Sequence, residues 1–530
     1  MAHDTVNRPP DCLIRTLKRP PRTPLPWPSR LGLTLLAWSL CLGPAWSQRN
    51  ALPSLGEGEG ISLAAERQLG DRIIRELYRD PDYIEDAVLD EYVQKLWAPL
   101  VDAAAARGEL SPELRERFAW RILLGRDRSV NAFALPGGYL GVHLGLIAVV
   151  TSRDELASVM AHELSHVTQR HIARSMEAQG RMTPWVIGSL ILGALAASKN
   201  PQATQALVVG GQAAAVQSQL SYSRDMEREA DRIGFGVLSD AGYDPRGFVG
   251  MFGKLQQAAG VNDNGAYPYL RSHPLTTERI ADMQSRLPLG VTFSNVPQDM
   301  EQAMVSARAR VLSQSQVDSL RAWTQLPVNL SAQATSAQKA GSLYAAALAH
   351  QMLREPEQAR KQWQALQAVT AANTVAARLT RLLGAELLAA RGEYAQVVQS
   401  LQPSSMVGRW PRPELVGVAQ ALAHLPGHPA TASVVQQLRQ QVQTTPHDAQ
   451  AWNLLGSLLA RQGQKLASLR AEGEAQLVRM DLQGAQDRFR AAQDLARQSH
   501  LQAGDHIEAS IVDTRVREIQ ALLREMQKER

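Results

Sequence analysis

Cysteine is nearly absent from this 530-residue chain. Its two thiols, Cys12 and Cys41, both fall within residues 1–47. Once that segment is removed as a leader, disulfide scaffolds, thiolate zinc sites and cysteine nucleophiles are excluded together. Any metal must then be held by His, Asp or Glu. Aromatic residues make up only 5% of the chain, which argues against a large β-sandwich and for helices packed through small residues. Excess charge is also scarce. The formal charge is +5, and residues 1–47 supply +4 of it through Arg8, Arg15, Lys18, Arg19, Arg22 and Arg30 against Asp4 and Asp11. A near-neutral remainder gives no footprint for nucleic acid. Long apolar runs are missing too. Leu31–Leu42 and Trp185–Ala197 are both shorter than the ~20 residues a spanning helix needs.

Leu31–Leu42 follows a basic segment and leads into Ala45-Trp46-Ser47, a small-x-small pattern suited to signal cleavage. Residues 1–47 are therefore expected to be a signal peptide; the alternative is an uncleaved anchor. Further on, Ser62–Tyr78 and Ile84–Ala106 carry apolar residues at helical spacing, while Phe118–Leu124 and Val130–Leu135 read as strands. Pro136-Gly137-Gly138 supplies a turn, and Tyr139–Val142 reads as a short returning strand. Ser152–Met176 is expected to be one helix, opened by a capping box of Ser152 and Glu155. These elements place a first domain at residues 48–330.

Beyond residue 335 the chain becomes rich in Ala, Leu and Gln. Trp452, Leu455, Gly456 and Gly463 fit the first helix and turn of a tetratricopeptide repeat, and Ala485, Phe489 and Ala492 fit a second helix. Leu383, Gly384 and Gly392 give a similar phrase, but the phase slips between the matches. Residues 335–530 are expected to form a TPR-like helical-repeat scaffold with a concave binding surface. The expected fold is mostly α (α+β): a first domain with a small sheet, then helical repeats.

The chemistry centres on His162-Glu163-Leu164-Ser165-His166, an H-E-x-x-H run inside the capped helix. A spacing of four puts both imidazoles on one helical face, where they can share one zinc ion. Glu163 lies beside them, within reach of a water rather than the metal. A catalytic zinc needs a third protein ligand. Glu227 and Asp231 are again one turn apart, flanked by Ala230 and Gly234, which permit close helix packing. Glu227 suits a metal ligand, with Asp231 orienting a ligand histidine. By pattern alone the same run serves equally as a solvated face paired with Arg224, Arg228 and Arg232.

HELSH, SRDMEREADRIG and RSHPLTTERIADM together resemble the Ste-type CAAX-protease family of zinc metallopeptidases. The order of leader, peptidase and repeats is similar to its periplasmic members that assist outer-membrane β-barrel assembly. The resemblance implies one zinc held by His162, His166 and Glu227, Glu163 as catalytic base and Asp231 as its supporting aspartate. It also implies that Asn131, Ala132 and Phe133 belong to a strand beside the cleft whose edge takes an extended peptide. His273, in Ser272-His273-Pro274, has two open roles: a fourth zinc ligand that holds the enzyme latent, or a donor to the oxyanion. The implied substrates are unfolded or misassembled outer-membrane proteins. The implied partner of the repeats is the outer-membrane assembly machinery, with peripheral membrane contact, in the periplasm. A second function class is a scaffold or chaperone module in which proteolysis is suppressed. Trp185–Ala197 reads either as a buried helix over the site or as a membrane-facing loop. His171, nine residues after His162, reads as a surface residue, and His143 as a strand-end histidine with local partners.

Overall fold

Ser62 accepts the Ala65 N–H and starts α1 (Leu63–Leu77), whose Leu69, Ile73 and Ile74 are buried. Asp86 takes the Leu89 N–H, so α2 (Ala87–Ala106) begins three residues later than its apolar spacing suggested. This frees β1 (Tyr83–Ile84) to pair antiparallel with β2 (Arg121–Gly125). Phe118 is not in a strand: Ser111 and Pro112 open a short helix, α3 (Pro112–Arg117), that Phe118 terminates. Trp120 then takes a left-handed φ of 49° before β2 starts. β3 (Ala132–Leu135) and β4 (Tyr139–His143) form an antiparallel hairpin, turned by Gly137 and Gly138 at φ 77° and 82°. β2 and β4 run parallel, giving a mixed sheet of order β1-β2-β4-β3 with β3 at one edge. The computed structural model describes residues 61–178, 223–260, 267–287, 299–402, 408–498 and 505–528. The expected leader and Trp185–Ala197 lie outside the described residues.

After α4 (Leu144–Val149), Ser152 and Glu155 form the expected capping box at the start of α5 (Arg153–Thr168). Asp154 through Thr168 are all buried, so α5 has no solvent face. Such a helix belongs at the centre of a domain. Around it pack β3, α2, α7 (Arg224–Asp240) and α8 (Arg246–Gly260). α5 ends earlier than expected. Arg170 adopts φ 51°, its guanidinium bonds Glu66 and the Ile61 carbonyl, and the chain restarts as α6 (His171–Ala178). The short α9 (Tyr269–Ser272) and α10 (Thr277–Ser285) close the remaining side.

From α11 (Met300–Ser313) and α12 (Val317–Thr324) onward the described residues are helical, joined by short turns. α13 (Ser336–Met352), α14 (Pro356–Thr370), α15 (Thr374–Ala390) and α16 (Tyr394–Leu401) pack each on the next. α17 (Arg412–Leu422), α18 (Thr431–Thr444), α19 (Ala449–Arg461), α20 (Lys465–Val478), α21 (Leu482–Gln498) and α22 (Asp505–Lys528) continue the series. The chain is thus mostly α with one small sheet, followed by helices that fit a repeat array. Trp452 and Leu455 are buried in α19, and Phe489 in α21 lies against Gly473 of α20, where a Cβ would come 2.8 Å from its ring. One apolar core runs from Leu63 through Met304 and Tyr344 to Ala475, without a gap near residue 335.

Candidate metal centre

α5 and α7 lie close because of a small residue. A Cβ on Gly234 would stand 3.1 Å from both the Ala161 carbonyl oxygen and the His162 nitrogen. That approach carries Glu227, one turn into α7, against the two α5 imidazoles. His162 Nε2 lies 3.0 Å from His166 Nε2 and 3.6 Å from Glu227 Oε2, and His166 Nε2 lies 3.4 Å from Glu227 Oε1. His273 follows α9 and adds a third imidazole. Its Nδ1 is 3.0 Å from Glu227 Oε1 and 3.3 Å from His162 Nε2, and its Nε2 is 3.3 Å from Glu163 Oε1. One ligand atom from each of His162, His166, Glu227 and His273 lies within 4.8 Å of the others, and all four residues are buried. Glu163 sits beside them. Its Oε2 accepts the Ala134 N–H of β3 at 2.9 Å, while its Oε1 is buried without a hydrogen bond.

Electrostatics favours a cation here. Burial raises the Glu163 carboxyl above its ordinary value. Burial works against Glu227 as well, but His273, His166 and His162 hold its carboxyl well below the usual range. Burial likewise opposes the charge on Asp231, and its bond to Arg279 overrides this and lowers it. Burial drives His166 well below its ordinary value, keeping that ring neutral and its lone pair available. Glu227 and Asp231, both held in the charged form, face the buried guanidinium of Arg279. The N/O donor set fits a divalent ion of borderline softness.

Outside the four donors stand residues that orient them. Asp231 Oδ1 is 2.9 Å from His162 Nδ1. Arg279 clamps Asp231 through Nε at 2.6 Å and Nη2 at 2.8 Å, and its Nη1 lies 2.6 Å from Glu227 Oε2. Tyr269 stacks on His273 with ring centroids 4.5 Å apart. Neither Tyr269 nor Arg279 stood out in the sequence, although the i,i+4 spacing of Tyr269 and His273 was a usable signal. The reading of His171 is corrected: it is fully buried, 2.8 Å from His166 Nδ1. Nine residues along one continuous helix would point it away, but the left-handed Arg170 resets the direction of the chain.

Ala132 and Phe133 lie in β3, with Asn131 just before it. Phe133 pairs with Gly141 of β4, so alternation puts Ala132 on the outer edge together with Ala134. His143 accepts or donates at Ser129 Oγ, 2.9 Å away, at the end of β4.

The segment that carries this centre is similar to known proteins. Residues 91–287 match the model of peptidase family M48. Over this segment the chain is similar to that family. It is 38% identical over 264 residues to a putative beta-barrel assembly-enhancing protease of Vibrio cholerae, covering 49% of this chain and 52% of that one. It is 35% identical over 252 residues to the beta-barrel assembly-enhancing protease of Escherichia coli K12, covering 46% and 49%. Both matches therefore span about half of those relatives. The Yersinia pestis protein of the same name is 29% identical over 435 residues, covering 81% of this chain and 84% of its own. All four clustered donors lie within the matched segment, between residues 91 and 287.

Proposed function

We propose that this chain is an exported zinc metalloendopeptidase that hydrolyses unfolded or misassembled outer-membrane proteins. Its tetratricopeptide-like repeats serve the assembly machinery. The observation that carries the reading is the buried cluster of His162, His166, Glu227 and His273 with Glu163 beside it, at the edge of β3. The relatives support it by name: three are called beta-barrel assembly-enhancing proteases. A periplasmic site of action follows from the expected leader. Among the described residues, no helix is long and apolar enough to cross a membrane.

His162, His166 and Glu227 hold the zinc in this reading. Bound there, zinc would supply Lewis-acid chemistry. Glu163 would accept a proton from the attacking water and return it to the departing amine. Its raised carboxyl suits a group that must hold a proton and then give it up. Asp231, gripped by Arg279, keeps His162 in the orientation that offers Nε2 to the metal. An extended peptide lies along the outer edge of β3, so backbone contacts select it with little regard for sequence.

The test uses purified mature protein and its Glu163→Gln variant. Cleavage of an unfolded substrate should fall by at least ~100-fold while zinc content is kept. Undiminished cleavage by the variant, or a wild-type protein with no zinc, would overturn the assignment. The second reading, a scaffold with proteolysis suppressed, is favoured by one contact set: His273 touches both Glu163 and Glu227. A histidine there can fill the fourth position and hold the enzyme latent. His273→Ala should then raise proteolysis. If His273 instead donates to the oxyanion, the same change lowers kcat by about a hundredfold with zinc retained.

A further inference from the structure

The two histidines of α5 are held from behind in different ways. His162 Nδ1 faces a carboxylate, Asp231. His166 Nδ1 faces another imidazole, Nδ1 of His171 at 2.8 Å. His166 turns Nε2 toward the donor cluster, and a neutral imidazole that offers this lone pair must carry its proton on Nδ1. That proton needs an acceptor. His171 Nδ1 is at hydrogen-bond distance, so it is the unprotonated nitrogen and the His171 proton sits on Nε2. Nε2 in turn lies 3.0 Å from Glu229 Oε2, which also accepts from Arg174 Nη1 at 2.8 Å. Every bond in this line runs the same way, from His166 through His171 to a carboxylate fixed by Arg174. His171 is fully buried, and its ring lies 4.8 Å from that of His166, nearly edge-on at 74°. It is not one of the four clustered donors.

We propose that His171 is a positioning residue for the metal, setting the tautomer and ring orientation of His166 through a His166–His171–Glu229–Arg174 line. The inference rests on the metal reading above. Outer partners of this kind commonly govern affinity as strongly as they do rate. The left-handed Arg170 is what delivers His171 to this place, so the helix break is part of the site.

The experiment measures zinc affinity of the full-length protein by competition with a chromophoric chelator, and the visible spectrum of the cobalt(II) form. His171→Phe keeps the ring volume and removes both nitrogens. Zinc binding should weaken by ~10–100-fold, and the cobalt bands should change shape. His171→Asn, whose amide oxygen can accept the His166 proton, should recover most of the affinity. Glu229→Ala should weaken zinc in the same direction by less. Thermal melts of the metal-free proteins separate packing from metal binding, since a merely structural role moves the melt and leaves affinity and spectrum unchanged. A folded His171→Phe protein with wild-type zinc affinity and an unaltered cobalt spectrum would overturn the proposal. Should that variant not fold, unchanged affinity in Glu229→Ala overturns it instead. A wild-type protein that binds neither metal sinks the metal reading itself, and this proposal with it.

Discussion

Glu227 and Asp231 are one helical turn apart on α7 and equally buried, yet their surroundings assign them different tasks. Glu227 touches three imidazoles, whereas Asp231 touches one imidazole and a bidentate guanidinium. Asp231→Asn should therefore keep a metal site but weaken zinc by ~10–100-fold, measured by chelator competition. Glu227→Ala removes a direct donor, and stoichiometric zinc should be lost altogether. Arg279 is the less obvious member. It is 3% exposed and neutralises both acids. Arg279→Ala would leave two carboxylates buried without their partner, at a cost of ~3–5 kcal/mol in urea unfolding.

The elements that frame the centre depend on close backbone approaches. α1 crosses the β3–β4 turn at Gly70, where a Cβ would come 2.0 Å from the Pro136 carbonyl oxygen. No side-chain rotation can relieve a clash with backbone. Gly70→Ala should destabilise the protein by ~1–3 kcal/mol and push the turn away from α1. Because that turn ends β3, a weakened hold on extended peptides should appear as a raised KM for an unfolded substrate. The break between α5 and α6 is another such element-level feature. Periodicity extended α5 to Met176, since neither Gly nor Pro marks a stop there. What ends it is a tertiary grip on Arg170 by buried Glu66 and the Ile61 carbonyl, which no local pattern announces.

Across the molecule, arginines from α11, α15 and α17 and the one that follows α20 converge on the acidic stretch Glu85–Glu91 around the start of α2. Arg308 meets Asp86 at 2.7 Å and Glu386 at 2.9 Å, and Arg378 meets Glu91 at 2.6 Å. Arg412 lies 3.3 Å from Asp90, and Arg479 lies 2.7 Å from Glu85. Arg378, Arg412 and Arg479, all beyond residue 335, thus pair with acids at the start of α2. Two outcomes follow. A fragment ending near residue 330 strips the cover from α11, whose Ala303, Met304, Val305 and Ala307 are buried. It should aggregate or expose dye-binding apolar surface, where the full chain does not. The second outcome concerns pH. Burial pushes Asp90 from 3.8 up to about 8, with Asp86, Asp448 and Glu85 adding to the rise and Arg412 opposing it. Folding therefore takes up a proton at this residue between those two values. Its favourable contribution is complete at low pH and is lost as pH climbs through about 8. The Tm of wild type minus that of Asp90→Asn should accordingly fall across that window, and a flat difference would count against the shift.

Sequence alone determined the parts that rest on local chemistry. The capping box at Ser152 and Glu155, the glycine turn after β3 and the shared face of His162 and His166 follow from short-range geometry that survives any tertiary context. The HExxH spacing named two of the four clustered donors, while the acid pair on α7 left Glu227 open between donor and solvated acid. Tertiary structure decided the rest. Glu227 became a neighbour of the imidazoles, rather than a solvated acid, because Gly234 lets α7 touch α5. His171 moved from an expected surface to the back of His166 because a buried acid holds Arg170 in a left-handed turn. The arginine row on Glu85–Glu91 joins residues up to 394 positions apart. Contacts over such distances depend on how whole helices stack, and no periodicity within a single segment encodes that.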